Sequence, residues 1–391
     1  MALTLDGTNG IVSSGSITTQ SATGVIFSDS SSLTAAASPY VLKNRIINGA
    51  MVIDQRNAGA ATTPSATGVV YNLDRWCYAN TQASKLTIQQ TPSATETGYA
   101  VRVGAGFTNY LSTTVASAYT PLTGDLFAIE QMIEGLNIAD LAWGTSSAKT
   151  VTLSFWVNSS LTGTFGGAIS NSALDRSYPF TYTISVANTW EQKTITIAGD
   201  TTGTWLTTNG IGIRLYLSLG AGATYTGTAG AWAAGGYTNA TGATNVIATA
   251  SATWRVTGVQ LEVGSTATPF ERRLYNQELA NCQRYFTLIA SGDLKSTGVG
   301  YYYSATSAYG NFSLPVTMRT TPTLYQTTGT DYYRLYRNAN NDGVNSFTIG
   351  DGTTPQALEF YNSSEASGTV GQAGFWRTGS ASSYLAVQAE L

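Results

Sequence analysis

Ile211, Ile213, Leu215, Leu217 and Leu219 alternate with Gly212, Arg214, Tyr216 and Ser218, and this two-residue period returns along most of the chain. Val151, Leu153, Phe155 and Val157 alternate with Thr152, Ser154, Trp156 and Asn158, and Ile195 and Ile197 with Thr194 and Thr196. Successive side chains of a strand leave on opposite faces, so the period describes sheets with one buried face. Gly-, Asn-, Asp- and Ser-rich connections separate the runs, which is the pattern of an antiparallel sandwich. An all-β fold is expected.

At 391 residues the chain suits two β domains and an extension. Residues 1–42 are rich in Ser, Thr, Gly and Ala, with two short echoing pieces, Gly10–Gly15 and Gly24–Asp29, that no private core could stabilise. A first β domain occupies residues 43–273. Within it, Leu126–Trp143 reads as a strand to Glu134 and then a helical turn from Asn137 to Leu141, because Gly135 would break a long helix. Leu219–Ser251, interrupted by Tyr225, Trp232 and Tyr237, is too long for a plain loop. It is expected to lie across the sandwich or to reach into a neighbouring subunit.

Trp254–Gly264 reads as the closing strand. Residues 274–286 read as an amphipathic linker helix, with Leu274, Leu279, Cys282 and Phe286 apolar and Glu278, Asn281 and Arg284 polar. A second β domain follows over 287–391. Phe312, Leu314, Val316 and Met318 alternate there with Pro315 exposed, and the apolar run Tyr384–Leu391 is expected to dock in a sheet or an interface.

Only 10% of residues are charged, so the surface must be built from Ser, Thr, Asn, Gln, Gly and Tyr, which suits neutral polar ligands such as sugars. A net charge of −3 with 19 dispersed basic residues argues against nucleic-acid binding. The densest basic pair, Arg272-Arg273, reads as the solvated end of a strand. The absence of histidine removes Ser-His-Asp and Cys-His catalysis and imidazole metal sites. Cys77 and Cys282 cannot build a zinc cluster by themselves. Met1–Gly7 shows no basic region followed by an apolar run, so both are expected as reduced, buried or half-buried thiols. No run is apolar for the roughly 18 residues that a membrane helix needs. No cofactor is expected.

Several segments resemble those of tail fibres and related receptor-binding proteins of tailed bacteriophages. Asn44–Met51 followed by Asp74-Arg75-Trp76 resembles the opening of their jelly-roll domains, which sugar-binding modules share. Thr150–Asn158 resembles a central strand, and Thr257–Gly264 with Ala267–Arg273 the closing strand and exit. Leu279–Phe286, with Cys282-Gln283-Arg284-Tyr285, is similar to the family's linker, and Leu314–Pro322 to the first strand and turn of its terminal domain. Thr23–Asp29 looks like a fibre-shaft strand, although its usual Asp-Gly turn is Asp29-Ser30 here.

The resemblance covers about residues 23 to 322. It implies an N-terminal virion-attachment and shaft segment, an antiparallel jelly-roll sandwich, a short connecting helix and a C-terminal β-sandwich domain as receptor-binding tip. It further implies a homotrimer that joins other tail proteins through its N-terminal segment and meets host polysaccharide or lipopolysaccharide. The location implied is the phage tail, after assembly in the host cytoplasm.

Sugar recognition rests on aromatic rings that stack on the apolar face of a pyranose. The C-terminal domain is rich in them, and Tyr302, Tyr309, Tyr332, Tyr336, Tyr361 and Trp376 are the candidates. Adjacent aromatics in a strand cannot all face inward, so Tyr302 is expected opposite Tyr301 and Tyr303, and Tyr332 opposite Tyr333. Packing between trimer subunits is the competing use of such rings. Trp232, Tyr237 and Tyr178 are weaker candidates, and Trp76, Trp156 and Trp254 read as packing.

A structural adaptor or head decoration fibre without a receptor remains an alternative. A polysaccharide depolymerase is less favoured: it would need two carboxylates from among Glu130, Glu134, Asp140, Asp175, Glu262 and Glu271. Glu130 and Glu134 read as a solvated sheet edge. Thr257-Gly258 stands where sugar-binding modules often carry an acidic calcium pair.

Overall fold

The computed structural model describes residues 43–96 and 106–391, together with the strands Val25–Ile26 and Ser32–Leu33. The chain divides into two units, Met1–Lys43 and Asn44–Leu391. In the first, β1 (Val25–Ile26) and β2 (Ser32–Leu33) pair antiparallel. The rest of the expected attachment segment, Gly10–Gly15 included, lies outside the described residues.

The second unit opens with β3 (Gly68–Leu73), β4 (Trp76–Asn80), β5 (Leu86–Pro92), β6 (Asn109–Val115), β7 (Leu126–Glu134), β8 (Val151–Ser159) and β9 (Gly163–Ser170). It continues through β10 (Arg176–Ile184), β11 (Glu191–Ile197), β12 (Ile211–Ala221), the two-residue β13 (Thr226–Gly227), β14 (Ala233–Ala234) and β15 (Asn239–Ala240), and β16 (Thr253–Val263). Helix α1 (Tyr275–Gln283) follows, then β17 (Phe286–Ser291), β18 (Ser296–Ser304), β19 (Ser307–Ser313), β20 (Thr323–Gln326) and β21 (Tyr333–Arg337). Last come β22 (Asn340–Val344), β23 (Thr348–Ile349), β24 (Ala357–Asn362), β25 (Ala373–Thr378) and β26 (Tyr384–Gln388).

Two sheets, in the orders β14-β10-β9-β12-β7-β4-β3 and β11-β8-β16-β6-β5, face each other as a jelly-roll-like sandwich. The period-two residues fill the space between them. Leu153, Phe155 and Val157 of β8 oppose Ile213, Leu215, Leu217 and Leu219 of β12, all fully buried with Trp76 and Trp254. Each such side chain contributes about 1.5–3 kcal/mol by leaving water. As expected, β7 stops at Glu134 and is followed by short helical turns at Gly135–Asn137 and Ala139–Leu141.

The Leu219–Ser251 insertion lies on this sandwich: β14 pairs with β10, and Trp232 packs edge-on against Trp143, Tyr178 and Trp205. Its indole donates to the Ala198 carbonyl, so Trp232 pins the insertion down.

A second pair of sheets, ordered β17-β26-β20 and β22-β21-β25-β18-β19-β24-β23, encloses a separate core of Tyr302, Tyr333, Leu335, Phe347, Phe360, Trp376, Leu385 and Val387. The expected docking of the Tyr384–Leu391 run holds, since β26 is the middle strand of its sheet. The alternation from Phe312 to Met318 is only partly strand. β19 ends at Ser313, and the exposed Pro315 stands in the irregular stretch that follows.

Three local expectations fail because charged side chains are buried against partners that the sequence pattern does not show. Helix α1 is shorter than 274–286, and its face is only partly the expected one: Cys282 and Phe286 are buried, but Leu274 is exposed and Glu278 is buried, accepting from the Asn48 N–H and from Arg273. Arg273 is not a solvated strand end, because it also donates to the carbonyls of Asn44 and Ile46. Glu130 and Glu134 are not a solvated edge either. Both are buried on the outer face of β7, Glu130 against Arg214 at 2.7 Å and Glu134 against Arg284 at 2.6 Å.

Over that outer face, the guanidinium of Arg75 stacks 3.6 Å above Tyr285 and pairs with Glu390, which also accepts from Arg56 at 2.7 Å. Arg319 donates to the carbonyls of Asn209, Ala389 and Glu390. Buried charges of this kind stay only where partners satisfy them.

Candidate functional site on the outer sheet face

The sheet β22-β21-β25-β18-β19-β24-β23 has one face in the core and one in solvent. On β18, Gly300 and Tyr302 point inward, whereas Val299, Tyr301 and Tyr303 point outward at 70%, 39% and 68% exposure. Register then builds the outer surface. Tyr301 is the cross-strand partner of Tyr309 on β19, and Tyr309 of Tyr361 on β24. Their rings stack in a line, with centroids 6.2 Å and 4.9 Å apart and planes within 25° and 16°. Tyr303 meets Tyr309 edge-on at 5.5 Å. In the adjoining row, Tyr336 of β21 faces Phe375 of β25, and Phe375 faces Val299. The rings of Tyr336 and Phe375 are 5.2 Å apart.

This is an aromatic ledge running across five strands, of a kind that presents π faces and hydroxyls together. Desolvation by its neighbours, with the charge and phenols of Tyr361, Glu359, Tyr303 and Tyr301 around it, raises the Tyr309 phenol above its ordinary value. It therefore stays protonated and able both to donate and to accept.

Four of the six expected binding residues, Tyr309, Tyr332, Tyr336 and Tyr361, are half-buried with surface to offer, and three of these lie on the ledge. Tyr332 does not, as it packs against the core beside the Gly329 turn. Tyr302 and Trp376 are corrected outright. Tyr302 is buried, its hydroxyl donating to Asp342 at 2.6 Å. Trp376 is buried too, its indole donating to the Tyr309 carbonyl at 3.1 Å. The alternation of Tyr302 with Tyr301 and Tyr303 was legible, but its phase was the opposite one, because two ring systems of the core rest on glycines. A Cβ at Gly310 would stand 2.6 Å from Phe360 and 2.7 Å from Trp376. That signal, glycine at the same parity as the inward ring, was present in the sequence at Gly300 and Tyr302.

Elsewhere, a cleft of about 520 Å³ lies between β3 and β20, lined by Arg56, Tyr71, Arg319, Thr323 and Tyr325. Its two cations are already engaged, Arg56 with Glu390 and Arg319 with three carbonyls. Asp140 pairs with Arg45, and Glu262 accepts from Gln260 and Thr268. Glu271 accepts from the Asn44 N–H, and Asp175 from Asn171. Cys77 and Cys282 are free, buried thiols, which burial pushes well above their usual range. Of the remaining aromatics, Tyr178 and Trp232 serve the insertion, and Trp76 and Trp254 the core of the first sandwich.

No protein-family model matches the sequence, and no curated protein matches it. Among solved structures, the enzymatically active domain of tailspike protein 4 of bacteriophage CBA120 is similar over 58% of this chain and 22% of that one, at 11% identity and a TM-score of 0.30. The chain thus matches only about a fifth of the tailspike domain's length. A family 11 carbohydrate-binding module from Clostridium thermocellum, in complex with a β-1,3-1,4-mixed-linked tetrasaccharide, covers 52% of this chain and 100% of its own, at 13% identity and a TM-score of 0.25. The N-terminal CBM22-1–CBM22-2 tandem domain of Paenibacillus barcinonensis Xyn10C covers 90% and 100%, at 10% identity and a TM-score of 0.24. At such identities and TM-scores the likeness assigns no function.

Proposed function

We propose that this chain is a tail-fibre protein of a tailed phage that adheres, without catalysis, to glycans of the host surface. The observation that carries the reading is the outward row Tyr301–Tyr309–Tyr361 with Tyr303 and Phe375 beside it. An exposed aromatic surface on a charge-poor protein is costly to leave wet and is matched to the apolar face of a sugar ring. The phage assignment is supported by the ordered segments Asn44–Met51, Thr257–Gly264 and Leu279–Phe286. In this reading residues 1–42 attach the protein to other tail proteins, 43–273 form the jelly roll, 274–286 the linker and 287–391 the receptor-binding tip. Three copies assemble in the host cytoplasm and act on the virion, where weak contacts at three related sites add up once the first has formed.

The carboxylates that a depolymerase would need support the non-catalytic reading, since Glu130 and Glu134 are held by Arg214 and Arg284. A second reading, that the ledge is a subunit interface of the trimer, is favoured by the apolar neighbours Val299 and Phe375 within it. The test is binding of the full chain to host cells and to a panel of surface glycans, with Tyr303→Ala and Phe375→Ala variants. Weaker binding with unchanged oligomeric state supports adhesion. Unchanged binding with a shifted sedimentation coefficient would establish the interface instead.

A further inference from the structure

At one end of the ledge stand two arginines on neighbouring strands. Arg334 of β21 and Arg377 of β25 are direct cross-strand partners. They share the outer face, because Tyr333, Leu335 and Trp376 take the inner one. Among the described residues neither belongs to an ion pair. The Asp331 carboxylate lies over Gly343, the other cross-strand neighbour of Arg334, and still forms none. Arg377 lies 4.2 Å above the Tyr336 ring and donates to the Asn341 side-chain oxygen at 2.7 Å.

Like charges directly opposite each other destabilise a sheet, and a guanidinium cannot shed its charge. Elsewhere in this chain Arg75, Arg176, Arg214 and Arg284 are neutralised by Glu390, Asp200, Glu130 and Glu134. Arg319 and Arg337 lack an ion pair too, but they donate to backbone carbonyls and have no like charge directly opposite, whereas Arg334 and Arg377 face each other where the aromatic surface begins.

We propose that Arg334 and Arg377 bind the anionic group of an acidic glycan, a sugar carboxylate or a phosphate, while the sugar ring rests on the exposed Phe375. This rests on the glycan-binding reading above and gives it a ligand class. Forked N–H donors on two strands suit the paired oxygens of either anion, and the flanking Asn341 amide supplies a neutral partner for a hydroxyl.

The experiment measures binding of the full chain to alginate oligosaccharide, to phosphomannan and to neutral dextran, at low and at physiological salt. Binding of alginate or phosphomannan in preference to dextran, weakened by salt, is expected, and the acidic probe that binds identifies the anion. Arg334→Gln and Arg377→Gln should each weaken that binding about tenfold or more, with part of it restored by Arg→Lys. Thermal unfolding of the Gln variants should be unchanged or occur at higher temperature, since the repulsion is relieved. Equal binding of dextran, or Gln variants with unaltered affinity, overturns the proposal and leaves a neutral glycan reading in place. Failure of the full chain to bind any glycan overturns both.

Discussion

Glu134, at the last position of β7, receives two hydrogen bonds from the guanidinium of Arg284, at 2.6 and 2.9 Å, and a third from the Tyr285 hydroxyl at 2.6 Å. These residues follow α1, so one carboxylate holds the linker to the first sandwich. Glu134→Gln should lower stability by about 2–3 kcal/mol in denaturant unfolding, short of the full cost of breaking a buried pair because Arg284 is part-exposed.

The same group sets a response to acid. Burial by itself would raise the Glu134 carboxyl, but the hydrogen bonds from Arg284 and Tyr285 and the Arg284 charge hold it below the usual glutamate value of 4.5. Its contribution is therefore present above about pH 4.5 and is lost as pH falls through the lower, folded value. Unfolding midpoints measured from pH 7 to pH 3 should decline less steeply in Glu134→Gln than in the parent chain.

Asp74 works in the opposite direction. Burial pushes its carboxyl up to about 7, against the Arg56 charge and the hydrogen bonds from Gln55. The folded state then holds the proton more tightly than the unfolded one, so stability falls as pH rises from about 4 to 7 and is level beyond. Asp74→Asn should gain on the parent chain across that window in paired melting curves.

Outer and inner rings of the C-terminal sheet should separate cleanly by mutation. Trp376→Ala empties the core and should cost about 3–5 kcal/mol, whereas Tyr303→Ala should change stability by no more than about 0.5 kcal/mol. Glycan affinity should show the reverse order for a correctly folded protein, with Tyr303→Ala weakening it about five- to tenfold.

Gly310→Ala tests the support beneath Trp376. The added methyl would press on Phe360 and Trp376, and overpacking of this kind costs about 1–3 kcal/mol. Near-ultraviolet circular dichroism should report the displaced indole.

Much of the fold was legible in the residues. The period of two identified β8, β11 and β12, and the glycine at 135 located the end of β7. What the pattern could not convey was what lies against each outer face. Glu130 and Glu134 share the parity of solvent-facing residues, yet Arg214 and the chain after α1 bury them. Tyrosine and tryptophan suit both sides of a sheet, so alternation separated Tyr302 from its neighbours without saying which side was wet. The isolated pair Arg334–Arg377 depends on the register of two strands distant in sequence, and no local pattern reports that.

The placement of Glu390 against Arg75 and Arg56 also bears on how the protein is made. The arginines precede their carboxylate by 334 and 315 residues. Until β26 has threaded between β17 and β20, the nascent sandwich carries two cations awaiting an anion that is still being translated. Neutralising this part of the first sandwich therefore waits on a residue that follows β26.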